Sequence, residues 1–242
     1  MTLIPIGATL GLRFGNDAVV SRTEIEYCTL DQIKTYLWNL DLDLKGIDGD
    51  PEDEIKRTLS SVKGQVNGWC KNDFNYVQRS EWHDGRAQDT IVLRYAPVVD
   101  LEYVRAYNID YQQFYQYTGD EMIVRNRTGM IQFPPLYIMS NPYRAIGASL
   151  SGFTFFPGKA NIQFLYTSGF MDSEVPPEFS DAVAKWTAGQ ILRHAELKLF
   201  EGMRQRIVNG TQETGGGYSK MGDQYIEEAK KSLLQFRRIT IW

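Results

Sequence analysis

The chain has 242 residues, 26 basic against 30 acidic side chains, a formal charge of −4 and two cysteines. That is enough chain to bury a real core, and 43% apolar with 23% charged residues excludes wholesale disorder. The mild acidity excludes a protein that grips nucleic acid with its whole surface, and Cys28 and Cys70 cannot build a disulfide framework.

Met1 to Gly15 lacks a basic stretch and a long apolar run, so it reads as neither signal peptide nor membrane anchor. The segment to Arg22 reads as an N-terminal arm, ordered only if it docks. Thr29 followed by Asp31 and Gln32 predicts a helix start, with Ile33, Leu37 and Leu40 on one face. The acidic run Asp41 to Glu54 resembles a calcium loop only superficially. Counted from Asp41, a cation, Lys45, stands where the fifth ligand belongs. A solvated loop whose Asp50-Pro51 opens the next helix fits better. Ile55, Leu59, Val62, Val66 and Trp69 then form one apolar helical stripe ending near Cys70.

From Phe74 to about Tyr166 the texture is that of strands. Phe74 to Trp82 and Asp89 to Tyr95 flank His83-Asp84-Gly85-Arg86, whose D-G dipeptide predicts a hairpin turn. Pro97 to Val104, the aromatic run Tyr111 to Tyr117, Glu121 to Asn126 and Met130 to Phe133 read as further strands, the last two joined by a turn at Arg127-Thr128-Gly129. Pro134 to Lys159 is a long insertion, and Asn161 to Thr167 is a strand ending in Ser168-Gly169-Phe170. After the prolines at 176 and 177, Phe179, Val183, Trp186, Ile191, Ala195, Leu199 and Met203 follow helical spacing, and the helix could reach Val208. Thr211 to Gly217 is a flexible link, Asp223 opens a shorter helix, and the chain closes on an apolar tail.

Catalytic readings are weak. His83-Asp84 is the one histidine beside a carboxylate, but neighbours at a turn point different ways and the D-G turn explains them. His194 lies mid-helix, Cys70 ends a helical face as a buried inert thiol, and Ser219-Lys220 fits no S-x-x-K pattern. The Gly-rich runs lack the G-K-[ST] of a phosphate loop. Cys and His show no metal-ligand spacing. Asn126-Arg127-Thr128 and Asn209-Gly210-Thr211 match the glycosylation triplet by chance. Tyr111 to Tyr117 could stack bases or sugars, but with few basic groups nearby it suits protein contact or core. The aromatic content, 13% with 14 tyrosines, fits contact surfaces. The expectation is no enzyme, no cofactor and no metal.

Two helices, a D-G turn leading to His83–Leu93, a Pro97-Val98 strand running to Val104, then Tyr166-Thr167-Ser168-Gly169-Phe170 and Val175-Pro176-Pro177-Glu178-Phe179 before a long helix form an ordered set of phrases. With Tyr218-Ser219 and Phe236-Arg237-Arg238 near the end, this order resembles the head–tail connector (adaptor) proteins of long-tailed bacteriophages. The resemblance covers roughly Thr23 to Arg238; Met1 to Arg22 and Pro134 to Lys159 exceed the short versions of that family.

The resulting fold class is α+β: a helical bundle, made of N-terminal helices plus a long C-terminal helix, with an inserted antiparallel β region of hairpins. The segments are an arm at 1–22, N-terminal helices at 23–73, the β region at 74–170, the long helix at 171–210, and link, short helix and docking tail at 211–242. The resemblance implies a homo-oligomeric ring of about twelve subunits under the portal protein, joined below to a neck or tail protein. It would sit in the virion neck after assembly in the host cytoplasm, away from membranes. DNA would pass through its channel unbound, which the mild acidity suits. Phe236, Arg237, Arg238, Ile239, Thr240, Ile241 and Trp242 are the expected docking residues, the arginines pairing with acids while Phe236 and Trp242 fill pockets. Another neck or tail-completion protein, or a carbohydrate-binding or hydrolytic β module, remains the alternative.

Overall fold

The structure, a computed structural model, describes residues 17–37, 51–86, 88–107, 113–132, 158–203 and 217–238. The arm before Asp17, the acidic run from Asp41 to Asp50, Tyr111, most of the Pro134–Lys159 insertion, the link from Thr211 to Gly216 and the tail from Ile239 to Trp242 lie outside the described residues. Among the described residues stand four α-helices and two antiparallel sheets, an α+β chain. The chain divides into two compact units, one from residues 1–25 and 73–171, the other from 26–72 and 172–242.

The first unit holds the strands β1 (Ala18–Thr23), β2 (Tyr76–Gly85), β3 (Thr90–Val92), β4 (Val98–Tyr107), β5 (Gln113–Thr118), β6 (Ile123–Arg125), β7 (Met130–Gln132) and β8 (Gly158–Ser168). A five-stranded sheet runs in the order β1-β2-β8-β4-β5, and a three-stranded one in the order β3-β7-β6. β8 is the central strand. Residues paired across a ladder share a face, so Ile162, Phe164, Tyr166 and Ser168 of β8 face the same way as His83, Glu81, Arg79 and Val77 of β2. Ala106, Val104, Leu101 and Val98 of β4 continue that face. The core gathers there, where Ile162, Phe164, Tyr166, Val98, Leu101 and Val104 pack with Ile91, Leu93, Tyr117, Met122 and Ile131. Each such fully buried side chain contributes about 1.5–3 kcal/mol.

The D-G hairpin is a misreading. β2 continues through His83-Asp84-Gly85, with a register shift between His83 and Gly85, and pairs with β1 on one side and β8 on the other, while β3 joins β7 in the smaller sheet. The reason is local satisfaction of the backbone: Gly85 N donates to Asn161 Oδ1 at 2.8 Å, and Ala160 N donates to Asp84 Oδ1 at 2.7 Å. The dipeptide closes a strand against a distant one instead of folding back. β6–β7, with its turn between Arg125 and Gly129, is a hairpin as expected, and β4 pairs with the next strand, β5. The residues just before Arg22, read as arm, form β1, all six positions of which are exposed.

The second unit is helical: α1 (Leu30–Leu37), α2 (Pro51–Cys70), α3 (Pro177–Met203) and α4 (Gly217–Leu233). α3 packs against α4 and touches α1 and α2. Thr29 and Gln32 cap α1 reciprocally: Thr29 N donates to Gln32 Oε1 at 2.8 Å and Gln32 N to Thr29 Oγ1 at 3.3 Å. The α2 stripe buries Ile55, Leu59, Val62 and Val66. In α3, Phe179, Val183, Trp186 and Ile191 are buried as the spacing predicts, but so are Ala182, Ala184, Ala188 and Leu192. An interior helix is apolar on nearly all sides. α4 starts at Gly217, six residues before the predicted Asp223.

Candidate functional site

The residues expected to dock, from Phe236 onwards, begin where α4 passes into a 3-10 turn, Leu234–Phe236. The Phe236 ring meets Phe179 edge-on at 5.2 Å between centroids, and Phe179 in turn meets Tyr27 at 5.3 Å. The next two residues are tied to the end of α2. That helix closes in a Schellman motif: Lys71 adopts φ 52°, Lys71 N donates to Gly68 O at 3.3 Å, and Asn72 N donates to Asn67 O at 3.0 Å. The Cys70 carbonyl then accepts from Arg238 N at 3.0 Å. The Arg237 guanidinium lies 5.0 Å from the centroid of the Trp69 ring. Phe236, Arg237 and Arg238 therefore gather at one place on their own unit. Ile239, Thr240, Ile241 and Trp242 lie outside the described residues.

A second constellation was missed by the sequence reading. Glu81, 1% exposed, sits on the core-facing side of β2. One carboxylate oxygen, Oε1, accepts from Arg94 N at 2.8 Å and lies 2.5 Å from His83 Nε2, while Oε2 accepts from the Tyr166 hydroxyl. Arg94 also pairs with Asp17, whose other oxygen accepts from Trp82 N at 3.0 Å. Burial pushes the Glu81 carboxyl up, but His83, Tyr166 and the Arg94 N–H together hold it below its ordinary value. Burial and the Glu81 charge push the Tyr166 hydroxyl up, so it stays a donor.

One residue pair along β2, Arg79 repeats the arrangement. It donates through Nη2 to Asp73 at 2.8 Å and through Nε to Ser168 Oγ at 3.1 Å, with the Tyr95 ring 3.8 Å from its guanidinium carbon. With both oxygens held by donors of its own unit, Glu81 acts as a clamp. The signal that could have revealed the row was the alternation itself: Arg79, Glu81 and His83 stand two residues apart, hence on one face of a strand.

The other candidates fall apart in space. His83 is partnered by Glu81 rather than by Asp84, and His194 is exposed on α3. Cys28 and Cys70 are free and buried, and burial pushes each thiol up to about 12, so neither is a thiolate near neutral pH. Among the described residues no group of three His, Cys, Asp or Glu side chains is placed to hold a metal ion, and no helix is long and apolar enough to cross a membrane.

No family model matches the chain, and no curated protein matches it by sequence. Among solved structures it is similar to a chain in the neck of an empty gene transfer agent (GTA) particle computed with C6 symmetry. That match has a TM-score of 0.43 at 13% identity and covers 92% of this chain and 98% of the other. It is also similar to a chain in the virion of a native gene transfer agent particle (0.42, 13%, the same coverages). A third is in the neck of a native GTA particle computed with C12 symmetry (0.41, 12%, again the same coverages).

Proposed function

We propose that this chain is a head–tail connector (adaptor) of a long-tailed phage-like particle, a structural virion protein rather than an enzyme. It would form a homo-oligomeric ring of about twelve subunits under the portal protein, extend the DNA channel towards the tail and meet a further neck or tail protein below. The supporting observation is the order of elements around one joint. Helices α1 and α2 follow β1 and precede β2 to β8, β8 runs into Tyr166-Thr167-Ser168-Gly169-Phe170, and α3 starts at Pro177 within Val175-Pro176-Pro177-Glu178-Phe179. Those phrases, in that order, carry the resemblance to the connector family. A mildly acidic chain suits a channel through which DNA slides without binding.

For portal docking, Phe236 packs on Phe179 within its own unit, so the proposed contact is carried by the Arg237 guanidinium, Arg238 and the residues from Ile239 to Trp242. Microscopy of the purified protein, and of particles made with and without this chain, tests the reading. Ring-shaped assemblies, or density between portal and tail that vanishes with the chain, is the expected result. A soluble monomer that binds or hydrolyses glycans, with necks unchanged in its absence, overturns it.

A further inference from the structure

The surface at the C-terminal end of α2 has the chemistry of a contact hot spot: a half-buried Trp69, the Arg237 guanidinium beside its ring, and Leu234, 55% exposed, on the adjoining turn. Lys71 and Arg238 stand beside it, since Arg238 N is bonded to the Cys70 carbonyl. Among the described residues neither Arg237 nor Lys71 forms an ion pair.

The opposite end of the same helix, about 30 Å away at 1.5 Å per residue, has the opposite charge. Its first turn is Glu52-Asp53-Glu54. Glu52 is committed to Lys34 at 2.6 Å, Asp53 is well exposed and reaches Lys56 only at 4.0 Å, and Glu54 forms no ion pair among the described residues. A helix with a basic, aromatic platform at one end and an acidic first turn at the other is complementary to a copy of itself.

We propose that the Trp69–Arg237 platform of one subunit receives the Asp53–Glu54 turn of α2 from a second copy of this chain, joining copies head to tail. A heterologous contact of this kind closes into a ring when its rotation closes. The inference rests on the ring reading given above and specifies the contact that builds it.

Charge reversal in the full chain tests it, read by sedimentation velocity at low ionic strength with circular dichroism to confirm folding. Arg237→Glu alone, and Asp53→Lys with Glu54→Lys, should each weaken self-association about tenfold or more. Mixing the two variants should restore growth as an alternating assembly, because the platform of each then matches the turn of the other, and combining all three substitutions in one chain should also restore assembly. Wild-type protein that does not self-associate, reversals that assemble like the wild type, or a combined variant that stays apart overturns the contact. Rings that survive every reversal overturn this contact while the connector reading stands, whereas particle necks that do not contain the chain overturn the connector reading itself.

Discussion

Gly189 of α3 and Gly222 of α4 lie against one another so closely that a Cβ added to either would come within 2.6 Å of the other's carbonyl oxygen. Glycine inside a helix costs about 0.5–1 kcal/mol relative to alanine, and here the cost is offset by the close approach it permits. Substituting Gly189→Ala or Gly222→Ala should therefore destabilise the chain by about 1–3 kcal/mol through overpacking. Gly64 on the exposed face of α2 has nothing within 4 Å of its added Cβ, so Gly64→Ala should stabilise by about 0.5–1 kcal/mol. Urea midpoints of the three variants check both signs; a Gly189→Ala midpoint at or above that of the wild type would show that the helices do not meet at this point.

The Glu81 clamp makes stability depend on acid. Because the folded carboxyl is held below its ordinary value of 4.5, its contribution is complete above that pH and is lost as pH falls through the lowered folded value. Removing one partner of a buried charged network costs about 3–5 kcal/mol, and Glu81→Gln should approach the lower figure near neutral pH. The gap between wild type and variant should then narrow as pH drops below 4.5. Denaturation curves at a series of pH values read this directly, and a gap independent of pH would mean that the Glu81 charge plays no part.

The helical unit was far more legible in the sequence than the sheet. Ile55, Leu59, Val62 and Val66 announce α2 because a helix writes its buried face locally, within a few residues. Thr29 and Gln32 announce α1 by the same local logic. Strand pairing is not local: β2 lies beside β8, some eighty residues later, so the spacing around Asp84-Gly85 could not tell a turn from a strand end. α4 starts at Gly217, where the glycine-rich link was expected to end, and the approach to Gly189 accounts for Gly222 inside the helix. Of the residues expected to dock, the apolar, basic character was legible in the sequence but not that Phe236 would pack on Phe179 or that Arg237 would lie beside Trp69. Of the Glu81 network only the alternation of Arg79, Glu81 and His83 was legible, since Tyr166 and Arg94 reach Glu81 only once the strands are paired.

Lys71 occupies the left-handed position of the Schellman motif that ends α2, at φ 52°. A residue with a Cβ is strained there by about 1 kcal/mol relative to glycine. Lys71→Gly should raise the thermal midpoint by a few degrees while leaving the Cys70–Arg238 hydrogen bond in place. If Lys71 instead serves the contact at the end of α2, the same variant should be more stable yet assemble less well. Calorimetry and sedimentation on one preparation separate the two effects, and a lowered midpoint would contradict the cap geometry.

Gly169 closes β8 at φ 104°, and its amide donates to the Pro97 carbonyl at 2.9 Å. A Cβ there would fall 1.9 Å from the Asn75 carbonyl oxygen and 2.8 Å from that of Phe74. Both obstacles are main chain, so no side chain can swing aside. The next residue is equally fixed: Phe170 N donates to Phe74 O at 3.0 Å, and the two rings stack 5.5 Å apart at 5°. Strain and collision act together at Gly169, and Gly169→Ala should cost about 3 kcal/mol or more. In the first unit that loss should appear as opening of the β2–β8–β4 ladder, seen as faster hydrogen exchange in three places, β2, β8 and β4, while amides of α3 and α4 stay protected. Wild-type exchange at those three positions would show that the backbone at Gly169 has room that this geometry denies it.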